Sequence, residues 1–305
     1  MTIPIEHDLN WLPLLLDSPG PTTSFISSQL QDRRSQDSKK WLSFLSMLRE
    51  TDVHRRLLED PYTCRAFFKP RGYAGDAIMM DHIYDHPSVR QIKESSSALG
   101  RGILSHTAGD SLPAQAVRWR RDFIAQQITS LVEERGEARI LSFACGHLRE
   151  FELLEENVRR RVKIVAADSD TCSLTEVISS YSPLGKILAT NFSVKDLLGQ
   201  RRAELGTFDL VYTLGLLDYM SNRAAQRITE RLWSAVNPSG VLVVANFTPE
   251  TADAGYMEAF MDWWLTYKTV DDVRRFSERL PMNKSLKVLT DPWDQIAYLS
   301  CSKSI

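Results

Sequence analysis

The chain has 305 residues, 43% hydrophobic and 25% charged, with a formal net charge of -2. That length is enough for one or two buried cores, and the composition is that of an ordinary globular protein. The near-neutral balance argues against binding nucleic acid through bulk positive charge, and no window approaches the roughly 18 uninterrupted apolar residues of a membrane helix.

The chain opens Met1-Thr2-Ile3-Pro4-Ile5-Glu6-His7-Asp8. It shows no basic stretch followed by an apolar core, which predicts no secretory signal and a cytoplasmic location. Its four cysteines, Cys64, Cys145, Cys172 and Cys301, form no CxxC pair and no His/Cys cluster of zinc spacing. Reduced, mostly buried thiols and no metal are expected.

Residues 22–135 have a helical texture. Over 40–48 the apolar residues recur at three- and four-residue spacing. In Arg71-Gly72-Tyr73-Ala74-Gly75-Asp76 two glycines flank Tyr73-Ala74, the signature of a tight turn. On the family resemblance given below, this segment is the candidate lid over a cofactor, with Tyr73 and Asp76 able to touch an ammonium group or a substrate. Asp76 equally suits the N-cap of a helix beginning at Ala77. A further helix is expected over 113–134, its apolar side carrying Ala116, Trp119, Phe123, Ile124, Ile128, Leu131 and Val132. Arg120 and Arg121 on it are either charged partners of the lid or solvated. These residues define a helical cap over 1–135.

After Gly136 the texture changes to strand–helix alternation, expected as an α/β domain over 136–305. Short apolar strands are predicted over 139–144, 162–167, 186–189, 208–213, 241–246, 286–290 and 296–301, with a helix over 224–235. Such alternation implies βαβ units and a mainly parallel sheet. The run Arg159-Arg160-Arg161 reads as a solvated turn or helix end. The last two strands are separated only by Asp291-Pro292-Trp293-Asp294-Gln295. That is too short for a crossover helix, so they should pair antiparallel.

Ligand candidates fall at successive strand tips. The first strand runs into Ala144-Cys145-Gly146-His147-Leu148, a strand-to-helix turn of the kind that brings backbone N–H groups to a ligand. Gly146 allows close approach, although a full GxGxxG is absent. The second strand ends at Asp168, beside Ser169 and 22 residues beyond Gly146 (146 to 168). An acidic residue there can accept hydrogen bonds from both hydroxyls of a ribose, or cap a helix. After the third strand, Asn191-Phe192 can hold the amino group and edge of an adenine, or form a turn with a core phenylalanine. The fourth strand leads into Leu214-Gly215-Leu216-Leu217-Asp218-Tyr219 at the same edge. A dinucleotide would need a fuller glycine run for its pyrophosphate. S-adenosylmethionine (SAM) has no phosphate and tolerates this degenerate turn.

Downstream, Asn246 ends the fifth strand. Tyr256, Glu258, Trp263, Trp264 and Tyr267 follow in an aromatic-rich segment expected to be helical. Helical spacing places Tyr256, Trp263 and Tyr267 close to one face, as the wall of a substrate pocket or as a core stripe.

Several stretches together resemble a known family. They are Lys69-Pro70-Arg71-Gly72-Tyr73-Ala74-Gly75-Asp76, Pro113-Ala114-Gln115-Ala116-Val117-Arg118-Trp119-Arg120-Arg121, Leu141-Ser142-Phe143-Ala144-Cys145-Gly146 and Gly215-Leu216-Leu217-Asp218-Tyr219, followed by Ala245-Asn246-Phe247-Thr248-Pro249, Tyr256-Met257-Glu258 and Asp262-Trp263-Trp264-Leu265-Thr266-Tyr267. Across about residues 65–300 the chain resembles class I SAM-dependent methyltransferases, in particular the bacterial group that contains the enzyme making 3-hydroxypalmitic acid methyl ester. His147-Leu148 departs from it, standing where smaller residues are more usual, and residues 1–60 lie outside the match. The resemblance implies a Rossmann-like domain with seven strands, SAM as methyl donor, and a small-molecule acceptor, a free carboxylate being one precedent.

Methyl transfer from a sulfonium is an in-line displacement that needs alignment and exclusion of water, without a metal. A carboxylate acceptor would need an anion clamp, for which Arg71 and Arg121 are candidates. An amine acceptor would need a carboxylate or π face, for which Asp76 and Glu258 are candidates. Tyr73, Asp76, Asn246 and Glu258 are thus the candidate catalytic groups. Ala144, Cys145, Gly146, Asp168, Ser169, Asn191, Phe192, Leu214 and Gly215, with Tyr73, are the candidate cofactor contacts. Arg71, Arg121, Tyr219, Tyr256, Trp263 and Tyr267 are the candidate acceptor contacts. O-methylation of a carboxylate competes with N-methylation of an amino acid or related amine. An NAD-dependent oxidoreductase and a non-catalytic methyltransferase-like scaffold are the readings from other classes. The oligomeric state is left open, a homodimer included.

Overall fold

The computed structural model describes residues 11–36, 38–182, 186–281 and 284–304. Residues 1–8, on which the expectation about a secretory signal rests, lie outside them. The chain divides into two compact units, one of residues up to Arg118 with Thr251–Trp264, the other of Trp119–Glu250 with Leu265–Ile305.

The second unit is built on a seven-stranded sheet, β1 Ala138–Phe143, β2 Val162–Asp168, β3 Lys186–Asn191, β4 Phe208–Thr213, β5 Val236–Phe247, β6 Lys284–Thr290 and β7 Ile296–Lys303, in the order β3-β2-β1-β4-β5-β7-β6. β1 to β5 run parallel, and β7 is antiparallel to both β5 and β6. This is the Rossmann-like fold of class I methyltransferases, ending in the antiparallel hairpin that the short Asp291–Gln295 connection requires. Strands buried on both faces read as continuous apolar runs. The helix Leu112–Arg135 covers one face, with Ile124, Ile128 and Val132 against Ile140, Ile164 and Tyr212. The helix Asn222–Trp233 covers the other, with Ala225, Ile228 and Leu232 against Leu141, Val211 and Val244. β5 starts earlier than its apolar run, because Ser239 at φ 61 lets Asn237–Gly240 join it through a register shift against β4.

The first unit is helical. Its longest helix, Pro19–Gln36, buries Ile26 and Leu30. The helix Ala254–Phe260 belongs to this unit, and a Cβ on its Gly255 would lie 2.7 Å from the backbone carbon of Leu30. The Gly255 N–H donates to Gln31 Oε1 at 3.0 Å, so the glycine permits a backbone-to-backbone approach. The division differs from a boundary at residue 135. The helix Leu112–Arg135 gives its apolar side from Phe123 onward to the sheet, and residues after β5 return to the helical unit.

Two sequence expectations fail here. The aromatic segment is not one helix. It ends at Phe260, and Asp262 takes a left-handed φ of 46, so Trp263 and Tyr267 do not share a helical face with Tyr256. The Trp263 N–H instead turns back to the Met257 carbonyl at 2.9 Å. Among the cysteines Cys301 is buried, but Cys172 is exposed at the start of the helix Thr171–Tyr181. Among the described residues no helix is long and apolar enough to cross a membrane.

Candidate functional site

The carboxyl edge of the parallel strands carries the candidate site, because open α/β sheets bind ligands where the strand order reverses. Here that point lies between β1 and β4. The chain leaves β1 through Ala144, Gly146 and Leu148, which alternate in the left-handed region at φ 56, 53 and 53. Non-glycine residues occupy it at a cost of about 1–2 kcal/mol each, and such strain concentrates at functional turns. His147 and Leu148 are buried, and Leu148 packs into the core beneath the sheet. The Leu148 side chain thus points into the core and not into the crevice.

That turn is tied to β2. The Gly146 N–H donates to Asp168 Oδ2 at 2.9 Å, and the Asp170 N–H donates to Oδ1 at 2.8 Å. Burial pushes the Asp168 carboxyl up, while the Asp170 and Gly146 N–H groups work against it. A carboxylate offers about four lone-pair positions, so acceptor capacity is left for hydroxyl donors. Asp168 does not cap the next helix. Asp170 does, accepting from the Cys172 N–H at 2.9 Å. Ser169 is exposed beside it, and Asn191, exposed at the tip of β3, is the register partner of Asp168. Phe192 is a core residue, 2% exposed, with its ring 6.4 Å edge-to-face from Phe143 and the Arg201 guanidinium 5.1 Å from its centroid.

Three further groups stand at this edge. Glu150, just past the turn, accepts from the Tyr212 hydroxyl at 2.5 Å. Burial raises its carboxyl, against the Tyr212 hydrogen bond and the Arg120 and Arg121 charges. Arg120, 6% exposed, donates to the Leu214 carbonyl at 2.6 Å, and a Cβ on Gly215 would lie 3.8 Å from its guanidinium. A carboxylate and a guanidinium therefore sit at the tips of β1 and β4. Thr213 closes β4 with a fully buried Oγ1 that has no hydrogen-bond partner among the described residues.

At the tip of β5 lies a buried polar corner. Lys268, 1% exposed, donates from Nζ to the Leu217 carbonyl, Asn246 Oδ1 and the Thr266 carbonyl, each at 2.9 Å. Asn246 Nδ2 donates to the carbonyls of Phe247 at 2.8 Å and Thr266 at 3.0 Å. Asn246, expected to be catalytic, is thus engaged in joining the end of β5 to the segment that follows. Asp218 accepts from the Phe247 N–H at 2.7 Å. Burial raises its carboxyl to about 6, despite that bond and the Arg120 and Lys268 charges. An acid raised above its unfolded value of 3.8 binds its proton more tightly in the native state. Its stabilising contribution is full below about pH 4 and is lost as pH rises through about 6. Asp218→Asn keeps an acceptor for Phe247, so it should gain about 1–3 kcal/mol over the parent chain at pH 8 and nothing at pH 4. Urea titrations of both proteins at the two pH values check this.

Several of the other expected site residues belong to the helical unit, where two carboxylates are fully engaged. Asp76 caps the helix Ala77–Ile83, accepting from Ile78 at 3.0 Å and Met79 at 3.1 Å, and pairs with Arg65 at 2.6 Å. Glu258 accepts from Arg34 Nε at 2.8 Å and Trp41 Nε1 at 2.7 Å. Tyr256 is buried, its hydroxyl 3.0 Å from Thr63 Oγ1, and Trp263 is buried. Tyr73 is 37% exposed and Arg71 is half-buried, in a turn closed by the Gly72 N–H on the Lys69 carbonyl at 2.7 Å. In the sheet unit Tyr219 is 40% exposed, Arg121 and Tyr267 are half-buried, and Cys145 has its thiol pushed up by burial.

No family model matches the chain, and no curated protein matches it. Among solved structures it is similar to a possible exported protein from Bordetella parapertussis, at 16% identity and a TM-score of 0.60, covering 93% of this chain and 95% of that one. It is also similar to a putative methyltransferase from Thermobifida fusca, at 12% identity and a TM-score of 0.52, covering 75% of this chain and 94% of that one.

Proposed function

We propose that the chain is a SAM-dependent methyltransferase acting on a small molecule, and that the acceptor atom is a carboxylate oxygen, as in the group making 3-hydroxypalmitic acid methyl ester. The observation that carries this reading is Asp168. It is a largely buried carboxylate at the tip of β2, hydrogen-bonded to the glycine of the β1 turn, with acceptor capacity to spare for a ribose.

The surrounding groups fit the rest of the cofactor. Its amino-acid end is a zwitterion, and Glu150 and Arg120 present opposite charges at the β1 and β4 tips. The orphaned Thr213 Oγ1 adds a polar atom at the same edge. The Gly146 turn and Gly215 give the backbone access, and Asn191 offers hydrogen bonds at the adenine end. When bound, the cofactor supplies an electrophilic methyl group on a sulfonium. The residues named here orient it and exclude water, which is where the rate comes from in such a displacement. A carboxylate acceptor is ionised at neutral pH and needs no base. The two carboxylates that would have favoured an amine, Asp76 and Glu258, are neutralised by Arg65 and Arg34.

The test compares S-adenosylhomocysteine (SAH) with 5′-methylthioadenosine, which lacks the amino-acid end. Arg120→Met should weaken SAH binding by about 10–100-fold, the range of one charge-assisted hydrogen bond, and methylthioadenosine binding by less than about twofold. Equal losses would remove Arg120 from the cofactor site. A parent protein that binds neither ligand would overturn the proposed function.

A further inference from the structure

The helix Leu112–Arg135 reaches the β4 tip through Arg120, and the residue before it begins a different surface. Trp119 and Phe123, one helical turn apart, stack with ring centroids 5.1 Å apart and planes 9° apart. Tyr298, fully buried on β7, closes the corner, 5.3 Å from Trp119 and 5.2 Å from Phe123, with its plane tilted 60° and 54° to theirs. Tyr298 is the register partner of Ala245, the residue before Asn246 near the end of β5. The three rings therefore lie toward the carboxyl end of β5, the strand next to β4, whose tip carries Arg120 among the proposed cofactor contacts.

Exposure separates Trp119 and Phe123 from ordinary core. Ile124, Ile128 and Val132, further along the same helix, are fully buried, whereas Trp119 and Phe123 are both partly open. A partly open parallel stack has a use that a closed one lacks, because another planar ring can extend it with about 0.5–1.5 kcal/mol beyond area burial. The other half of such a ligand, a carboxylate as the methyl acceptor, comes from the proposed function.

We propose that Trp119 and Phe123 form the wall that recognises the methyl acceptor, and that the acceptor is an aromatic carboxylic acid. The inference rests on the methyltransferase reading, since it places the ring beside the proposed cofactor site. The side chains act by stacking on the acceptor, and the reacting oxygen lies on the acceptor itself.

The test uses the full chain saturated with SAH, titrated calorimetrically with indole-3-acetate, octanoate and glycine. Indole-3-acetate should bind at least tenfold more tightly than octanoate, and glycine should give no heat. Trp119→Ala should weaken indole-3-acetate by at least tenfold and Trp119→Phe by less than about threefold, both with SAH affinity within twofold of the parent. If Trp119→Ala does not fold, Phe123→Leu takes its place, with a loss of at least threefold expected. Octanoate binding as tightly as indole-3-acetate, or a Trp119→Ala or Phe123→Leu protein that binds indole-3-acetate unchanged, would overturn the inference and leave the methyltransferase reading intact. Failure of the parent to bind SAH would overturn both.

Discussion

Asp168→Ala is expected to weaken SAH binding by at least about 100-fold. Two ribose hydroxyls donating to one carboxylate are charge-assisted hydrogen bonds, each contributing about 1.5–3 kcal/mol, and about 3 kcal/mol corresponds to two orders of magnitude in Kd. The substitution also removes the acceptor of the Gly146 N–H, and with it one tie between the β1 turn and β2, the Cys145 N–H on the Ala167 carbonyl being another. Asp168→Asn separates the two effects. Its side-chain carbonyl can still accept from Gly146, but its amide nitrogen replaces the oxygen that accepts from the Asp170 N–H and offers hydrogens to a hydroxyl where the carboxylate accepted them. SAH affinity should therefore fall by at least tenfold with the melting temperature of Asp168→Asn within a few degrees of the parent. Calorimetry and thermal unfolding of the three proteins check this. If Asp168→Ala retained parental SAH affinity, the ribose contact would have to lie elsewhere.

Arg149→Ala is expected to cause the largest stability loss of any single change near the site. Arg149 is 2% exposed and follows the left-handed Leu148. Its guanidinium donates to Glu152 at 3.0 Å, Glu176 at 2.8 Å and the Tyr181 hydroxyl at 3.0 Å, binding the β1 turn to the helix Thr171–Tyr181. Removing one partner of a buried charge network costs about 3–5 kcal/mol. Glu152 and Glu176 are each 33% exposed and regain some hydration, so the expected loss is about 2–3 kcal/mol. A domain of this size loses roughly 2–4 °C in Tm per kcal/mol, so thermal unfolding should show a drop of about 4–12 °C. Because the turn is loosened, SAH affinity should fall in the same variant. An unchanged Tm would mean that the network contributes nothing net.

The parts of this architecture that were legible are those decided locally. Strands such as Val162–Asp168 are buried along almost their whole length, so they appear as apolar runs closed by a polar residue, and the closing residue is the one at the ligand edge. The antiparallel ending followed from the length of one turn. What stayed hidden depends on residues far apart in the chain. Nothing near Asp262 announces that the aromatic helix stops at Phe260, for there is no proline or glycine. Its left-handed backbone is accompanied by contacts with Arg49 and Lys69, 213 and 193 residues away. Glu258 resembles a site carboxylate until Arg34, 224 residues upstream, is seen to neutralise it. Asp76 had a local warning, since a carboxylate before Ala77-Ile78-Met79 is also a helix cap, and capping is part of what the structure asks of it. Lys268 gave no local signal at all, because a single lysine beside an aromatic run reads as solvated, yet its three acceptors come from three separate stretches of backbone and side chain. Glu150, two residues past the turn, was not among the candidates. Its importance comes from Tyr212, 62 residues later, on the neighbouring strand β4.

The central claim is that the β1–β4 edge holds SAM rather than a dinucleotide. Calorimetric titration of the purified full chain with SAH and, separately, with NAD decides it. The account predicts saturable SAH binding in the micromolar range or tighter and no heat with NAD. Saturable NAD binding with no response to SAH would contradict it.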